Sequence, residues 1–211
     1  MMKLNGLLLP VILMSAAGCA SHAAVAQPDA SPPIYTQGLA AAGHQGFWNN
    51  LLQHCGSAFR GSLTLEPPGD DMLTGTEELI VHFRECSETQ IRAPFHIEKE
   101  AAQEWDRSRT WIFMRTAEGL ELRHDHRQRD GTPDETTWYG GHTTTSGSAQ
   151  RQEFVYAESR AADGSIRGWR VEIIPGERYT YGTIRGGEWT WRVDFDLTQS
   201  VPIPPGPWGH Q

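Results

Sequence analysis

His124 and His126 are the side chains whose type and spacing most directly suggest chemistry. They stand two apart in the stretch Leu120–His126 (LELRHDH), and residues two apart on a β-strand share a face. Leu120, Leu122, His124 and His126 therefore point one way, and Glu121, Arg123, Asp125 and Arg127 the other. Two imidazoles on one strand face can offer two nitrogens to a metal ion. A third ligand would come from His142, Asp130, Asp134 or Glu153, and open coordination positions would then support hydrolysis or oxygen chemistry. The same imidazoles can instead be the polar handles of an apolar pocket, which needs few polar groups among hydrophobic walls. A purely structural use has both hydrogen-bonded at the rim of a barrel filled by its own side chains. His124 with Asp130 would be the acid–base arrangement that needs no metal. Gly-x-Ser-x-Gly, P-loop and HExxH patterns are all missing from the sequence, so no motif selects a reaction.

Strands must position these residues. Arg109–Thr116 and Leu120–Gln128 form a hairpin around Ala117-Glu118-Gly119, a loop closing on Gly as bulged hairpins do. With Thr116 opposite Leu120, the inward face carries Thr110, Ile112 and Met114 beside Leu120, Leu122, His124 and His126. Upstream, Ser57–Glu66, Glu77–Cys86 and Thr89–Ile97 alternate as strands, with a bend possible at Gly61. Glu98–Arg107 reads as a helical turn or a loop. Downstream, Glu135–Tyr139, Gln150–Glu158, Gly168–Ile174, Arg178–Ile184 and Glu188–Leu197 continue the meander, with turns at Pro175-Gly176 and Gly186-Gly187. Gly140-Gly141 permits a close backbone approach or a sharp bend. On the last strand Trp189, Trp191, Val193, Phe195 and Leu197 share one face. Phe47–Leu52 has the i, i+4 apolar pairs of a short helix, with a stop at Gly56. The Pro-rich tail Pro202–Gly209, with Trp208, is expected to pack over an opening or an edge.

The expected fold is all-β: an antiparallel up-and-down barrel of about ten strands with a short N-terminal helix that could plug one end. A pocket in it would be lined by Leu120, Leu122, Trp189, Trp191 and Phe195, with His124 and His126 as its polar groups. At 211 residues, one folded domain over residues 44–211 is the natural division. A formal charge of −8 disfavours nucleic-acid partners and would be repelled by anionic headgroups.

Residues 1–18 place Lys3 before the apolar run Leu7–Met14 and the small residues Ser15-Ala16-Ala17-Gly18, the layout of an export signal. The run is too short to span a bilayer as a helix. Residues 19–43, rich in Ala, Pro, Ser, Gln and Gly, read as a flexible tether. Export sets an oxidising compartment, where Cys55 and Cys86 are expected to pair. They would close a loop of about 30 residues, worth roughly 3–4 kcal/mol.

The small residues before Cys19 resemble the bacterial lipoprotein signal, in which the cysteine is lipidated and becomes the mature N-terminus. The resemblance implies an envelope protein held to a membrane through its lipid. Ala20 after the cysteine implies the outer membrane, facing the periplasm; an ordinary secretory signal would instead be cut near Ala20–Ala26. The helix, the Gly-bearing strand and the meander resemble the lipocalin and fatty-acid-binding barrels. His124-Asp125-His126-Arg127, Asp130-Gly131, Asp134, Tyr139-Gly140-Gly141, Gln152-Glu153-Phe154, Val193–Leu197 and Pro204–Gly209 (PPGPWG) resemble a group of uncharacterised secreted bacterial proteins. That likeness implies no activity and no catalytic residue. It does imply an acidic residue near His142, which weighs against His142 as a metal ligand. The expected function is binding of a small, largely apolar molecule in the envelope. The alternatives are a metal-dependent enzyme using His124 and His126, and a structural envelope protein without ligand.

Overall fold

The computed structural model describes residues 34–69, 72–99 and 104–210. The export signal, Cys19 and the first part of the tether lie outside the described residues. One helix, α1 (Ile34–Leu52), precedes β1 (Ala58–Leu65), β2 (Leu79–His82), β3 (Glu85–Cys86), β4 (Gln90–Lys99), β5 (Glu104–Arg115), β6 (Leu120–His126), β7 (Tyr139–Thr143), β8 (Arg151–Arg160), β9 (Ile166–Ile174), β10 (Arg178–Arg185) and β11 (Glu188–Val201). The antiparallel order runs β2-β1-β11-β10-β9-β8-β7-β6-β5-β4-β3, and β2 also pairs with β4. That last pairing closes ten strands into a barrel and leaves β3 as an extra strand beside β4. Closure removes the exposed sheet edges that an open meander would leave.

Several elements depart from the sequence expectation. The helix begins at Ile34, inside the stretch read as tether. The run Leu39, Ala40, Ala41 and Ala42 there consists of strong helix formers. Glu98–Arg107 is neither helical turn nor free loop at its ends, since β4 extends to Lys99 and β5 starts at Glu104. The strand expected over Glu77–Cys86 is split into β2 and β3, both on β4. Gly140-Gly141 lies within β7 rather than after a strand. A Cβ at Gly140 would sit 1.9 Å from the Leu122 carbonyl oxygen, so the close approach there requires glycine.

The β5–β6 register is the correction with the largest consequence. Arg115 faces Leu120, Phe113 faces Leu122 and Trp111 faces His124, because the turn has four residues, Thr116–Gly119, closed by the Thr116 N–H on the Gly119 carbonyl. A slip of one residue exchanges the two faces of a strand. Arg109, Trp111 and Phe113 therefore share the interior with the β6 leucines and histidines, and Thr110, Ile112 and Met114 face outward.

Ile112 is nonetheless fully buried, since the C-terminal segment crosses the outer face of β4, β5 and β6. His96 Nε2–H donates to the Pro205 carbonyl at 2.9 Å, Arg107 donates to that of Gly206 at 2.8 Å, and the Trp208 N–H donates to that of Arg107 at 3.1 Å. His210 ends the strap against Asp125 at 2.9 Å. The tail thus covers a face of the wall, not an opening.

At one end of the barrel α1 buries Phe47, Trp48 and Leu51. His54 fixes the helix end there: its Nδ1–H donates to the Asn50 carbonyl and its Nε2 accepts from the Gly176 N–H. Cys55 and Cys86 form a disulfide, as expected, tying the helix end to β3. Phe59, Phe83, Phe113, Leu122, Phe154, Tyr179 and Phe195 fill the middle, each 4% exposed or less. The helix-distal end is the one left partly open.

Candidate functional site

At that end lies a cavity of about 230 Å³. Its walls include Phe95 from β4, Arg109 and Trp111 from β5, His124 and His126 from β6, and Tyr139 from β7. Trp169 from β9, Tyr181 and Thr183 from β10, and Thr190 and Trp191 from β11 complete it, with Pro67 and Met72 of the β1–β2 connection beside them. Pleat alternation explains the strand contributions: each supplies alternate residues to the interior.

Two bulges adjust the pattern. In β5, Arg107 and Ser108 are the irregularity between the pairs Phe95–Arg109 and Ile97–Asp106. Both Asp106 and Arg109 thereby meet inward-facing residues of β4, and they pair with each other at 3.1 Å. In β11, Thr183 faces Trp191 while Ile184 faces Trp189, so Thr190 is the extra residue. Bulges re-aim side chains in this way. Trp189, expected beside Trp191, packs instead against Arg170 and Arg192 at 4.9 and 6.0 Å.

The histidines differ. His124 is buried, and both of its nitrogens are in use. Nδ1–H donates to the Tyr139 carbonyl at 3.1 Å. That fixes Nε2 as the acceptor of the Tyr181 hydroxyl at 2.5 Å. The Trp111 ring stacks on Tyr181 at 4.0 Å. Burial drives the His124 pKa down to about 3, against the raising effect of the Tyr139 carbonyl, so the ring is neutral at pH 7. It stacks on Tyr139 at 4.6 Å and 9°. Trp138 makes this stack possible: it holds a left-handed φ of 60°, and its N–H donates to the His124 carbonyl at 2.7 Å. Such a backbone costs a bulky residue about 1–2 kcal/mol, which the stack and the turn must offset.

His126 is less enclosed. Its Nε2 lies 3.2 Å from the Tyr139 hydroxyl. Burial lowers its pKa first and the Arg109 charge lowers it further. Burial also raises Tyr139, with Arg109 opposing. Replacing Tyr181 with Phe is expected to cost about 1–3 kcal/mol, because the buried His124 Nε2 loses its donor. Urea denaturation measures this, and a cost under about 0.5 kcal/mol would show that the bond contributes little.

Of the expected pocket residues, His124, His126 and Trp191 line the cavity. Leu120, Leu122 and Phe195 point inward but belong to the packed middle, and Trp189 is outside. The expected metal set does not come together. His142 faces Glu121 across β6 and β7 and is exposed on the outer surface. Glu153 pairs with Arg151 and Arg170, Asp130 caps its own turn at Thr132, and Asp134 accepts from Gln128. Among the described residues, no group of three or more His, Cys, Asp or Glu is placed to hold a metal ion. Sequence reasoning missed Arg109, Tyr139, Trp169 and Tyr181. Their signal was the inward parity of Arg109 with Trp111, of Trp169 with Val171, and of Tyr181 with Tyr179.

No family model, curated protein or solved structure matches the chain.

Proposed function

We propose that this chain is an exported bacterial envelope protein, held to the outer membrane through Cys19, that binds a small and largely apolar molecule at the helix-distal end of its barrel. One observation carries the binding reading: a cavity of about 230 Å³ with six aromatic side chains in its walls. Residual space among aromatic walls, with a few polar groups, is the form that small-molecule sites take. Both nitrogens of His124 are engaged in holding the wall, which favours binding over catalysis by that residue. The Cys55–Cys86 disulfide supports an oxidising, extracytoplasmic location.

Native mass spectrometry of protein purified from an envelope fraction tests the reading. The expected result is a co-purified small molecule, absent from a Thr183→Trp variant whose added indole fills the cavity. No adduct on the parent protein, or an equal one on the filled variant, would overturn it. The lipid anchor is tested separately by intact mass: an unmodified N-terminus downstream of Cys19 would rule it out.

A further inference from the structure

The hydrogen-bonding groups left unused around the cavity are mostly donors. Arg109 uses Nη1 on Asp106 and Ser108. Its Nε and Nη2 make no hydrogen bond among the described residues. The Trp191 indole N–H is buried without a partner among the described residues. A third donor comes from the pair Tyr139–His126. If the phenol donates to Nε2, the His126 Nδ1–H remains; if Nε2–H donates to the phenol, the Tyr139 hydroxyl proton remains. Among the described lining residues there is no carboxylate, and Arg109 is the charged side chain.

A guanidinium edge matches a carboxylate in shape and charge. The apolar walls are flat. Trp111 is already sandwiched between Phe95 at 4.9 Å and Tyr181 at 4.0 Å, so Trp169 and Trp191 remain to receive a ring. The volume is below the ~300–1,000 Å³ of sites for drug-sized ligands, which leaves room for about two fused rings and not for a long chain.

We propose that the ligand is a small planar aromatic carboxylate, its ring against Trp169 and Trp191 and its carboxylate on the free edge of Arg109, with the Tyr139–His126 pair as a further donor. This rests on the cavity being a binding site, and goes beyond that reading by fixing the chemical class. The arrangement explains why an arginine lines an otherwise aromatic wall. Asp106 holds one end of the guanidinium and so presents the other end in a set orientation.

Isothermal titration with 2-naphthoate and its neutral counterpart 2-naphthylmethanol tests the class at pH 7. The expected result is binding of naphthoate at least tenfold tighter than of the alcohol. Arg109→Gln should bring the two to parity, and Thr183→Trp should remove binding of both. Circular dichroism checks that both variants fold. Should Arg109→Gln fail to fold, Arg109→Lys, which keeps the charge but not the fork, is expected to give an intermediate preference. Equal binding of both probes by the parent protein, lost in Thr183→Trp, would overturn the carboxylate and leave the cavity as an apolar site. Binding of neither probe would overturn the proposal, while a co-purified adduct of another kind would still support the cavity reading.

Discussion

Between pH 6.5 and about 4.5 the fold is expected to lose roughly 5 kcal/mol of stability through two histidines. His124 and His96 are both buried, and burial lowers their pKa values to about 3 and about 4. The unfolded chain takes up a proton at each near pH 6.5. Below that pH the unfolded state binds more protons than the folded one, so stability falls as pH falls. Both contributions are complete from about one pH unit above 6.5. With two protons the slope is about 2.7 kcal/mol per pH unit, flattening as each folded-state pKa is reached. Burial likewise lowers His54, His82 and His126, which act in the same sense, so the slope is at least this steep. Against a typical total of ~5–15 kcal/mol, the loss brings the protein close to unfolding.

The two rings fail at different places. His124 protonation would turn the acceptor that Tyr181 uses into a donor, so the buried phenol proton would lose its partner under the cavity. His96 uses Nε2–H on Pro205, and its Nδ1 is buried without a partner among the described residues. A proton there has nothing to meet unless the C-terminal strap lifts. Urea midpoints from pH 7.5 to 4.5 measure the slope, and His96→Gln, whose amide can still donate to Pro205, should lower it by about 1.4 kcal/mol per pH unit. A stability profile flat over that range would show that the rings reach protons in the folded state. Asp125 belongs to a lower window. Burial pushes it up, but hydrogen bonds from Arg127 and His210 outweigh that and hold it below the usual carboxylate range. Its contribution is lost only as pH falls further.

Much of this site was legible in the chain, and the failures have local causes. Alternation along Leu120–His126 placed both imidazoles inward correctly, because β6 is regular. The opposite strand was misplaced by one residue. Arg109–Arg115 carries apolar side chains on both faces, Trp111 and Phe113 inside and Ile112 outside, and the outer face is buried by the C-terminal strap. Hydrophobicity then cannot choose the register; the four-residue turn does. Trp189 went astray because one extra residue at Thr190 inverts everything before it. Arg109, Tyr139, Trp169 and Tyr181 gather from four strands, β5, β7, β9 and β10. No spacing in the sequence links them, since ring closure and strand tilt decide which residues meet at one height. His124 was expected to be the pocket's polar handle. Its partners Tyr181 and Tyr139, remote in sequence, turn it into part of the wall.

Removal of the disulfide is expected to cost about 3–4 kcal/mol. Cys55 and Cys86 stand 31 residues apart, and a crosslink closing a loop of that length removes roughly this much entropy from the unfolded chain. Two features of the native state keep the expected cost near that value. The segment after the helix is already docked, with the Gly56 N–H on the Phe83 carbonyl at 2.7 Å and the Phe83 N–H on that of Ser57 at 3.0 Å. Phe47, Trp48 and Leu51 are buried in the core cluster, so the helix holds to the barrel by contacts other than the disulfide. The folded structure should therefore survive in Cys55→Ser/Cys86→Ser, with the loss falling on the unfolded side of the equilibrium. At a typical urea slope of ~1–3 kcal/mol per molar, the midpoint should drop by more than about 1 M at pH 7. Naphthoate affinity should stay unchanged, because the bond lies at the helix end and the cavity at the other. A midpoint within about 0.3 M of the parent would mean that the unfolded chain is already restrained without the bond. A midpoint shift accompanied by lost ligand affinity would instead mean that the helix plug sets the shape of the cavity through the packed middle of the barrel.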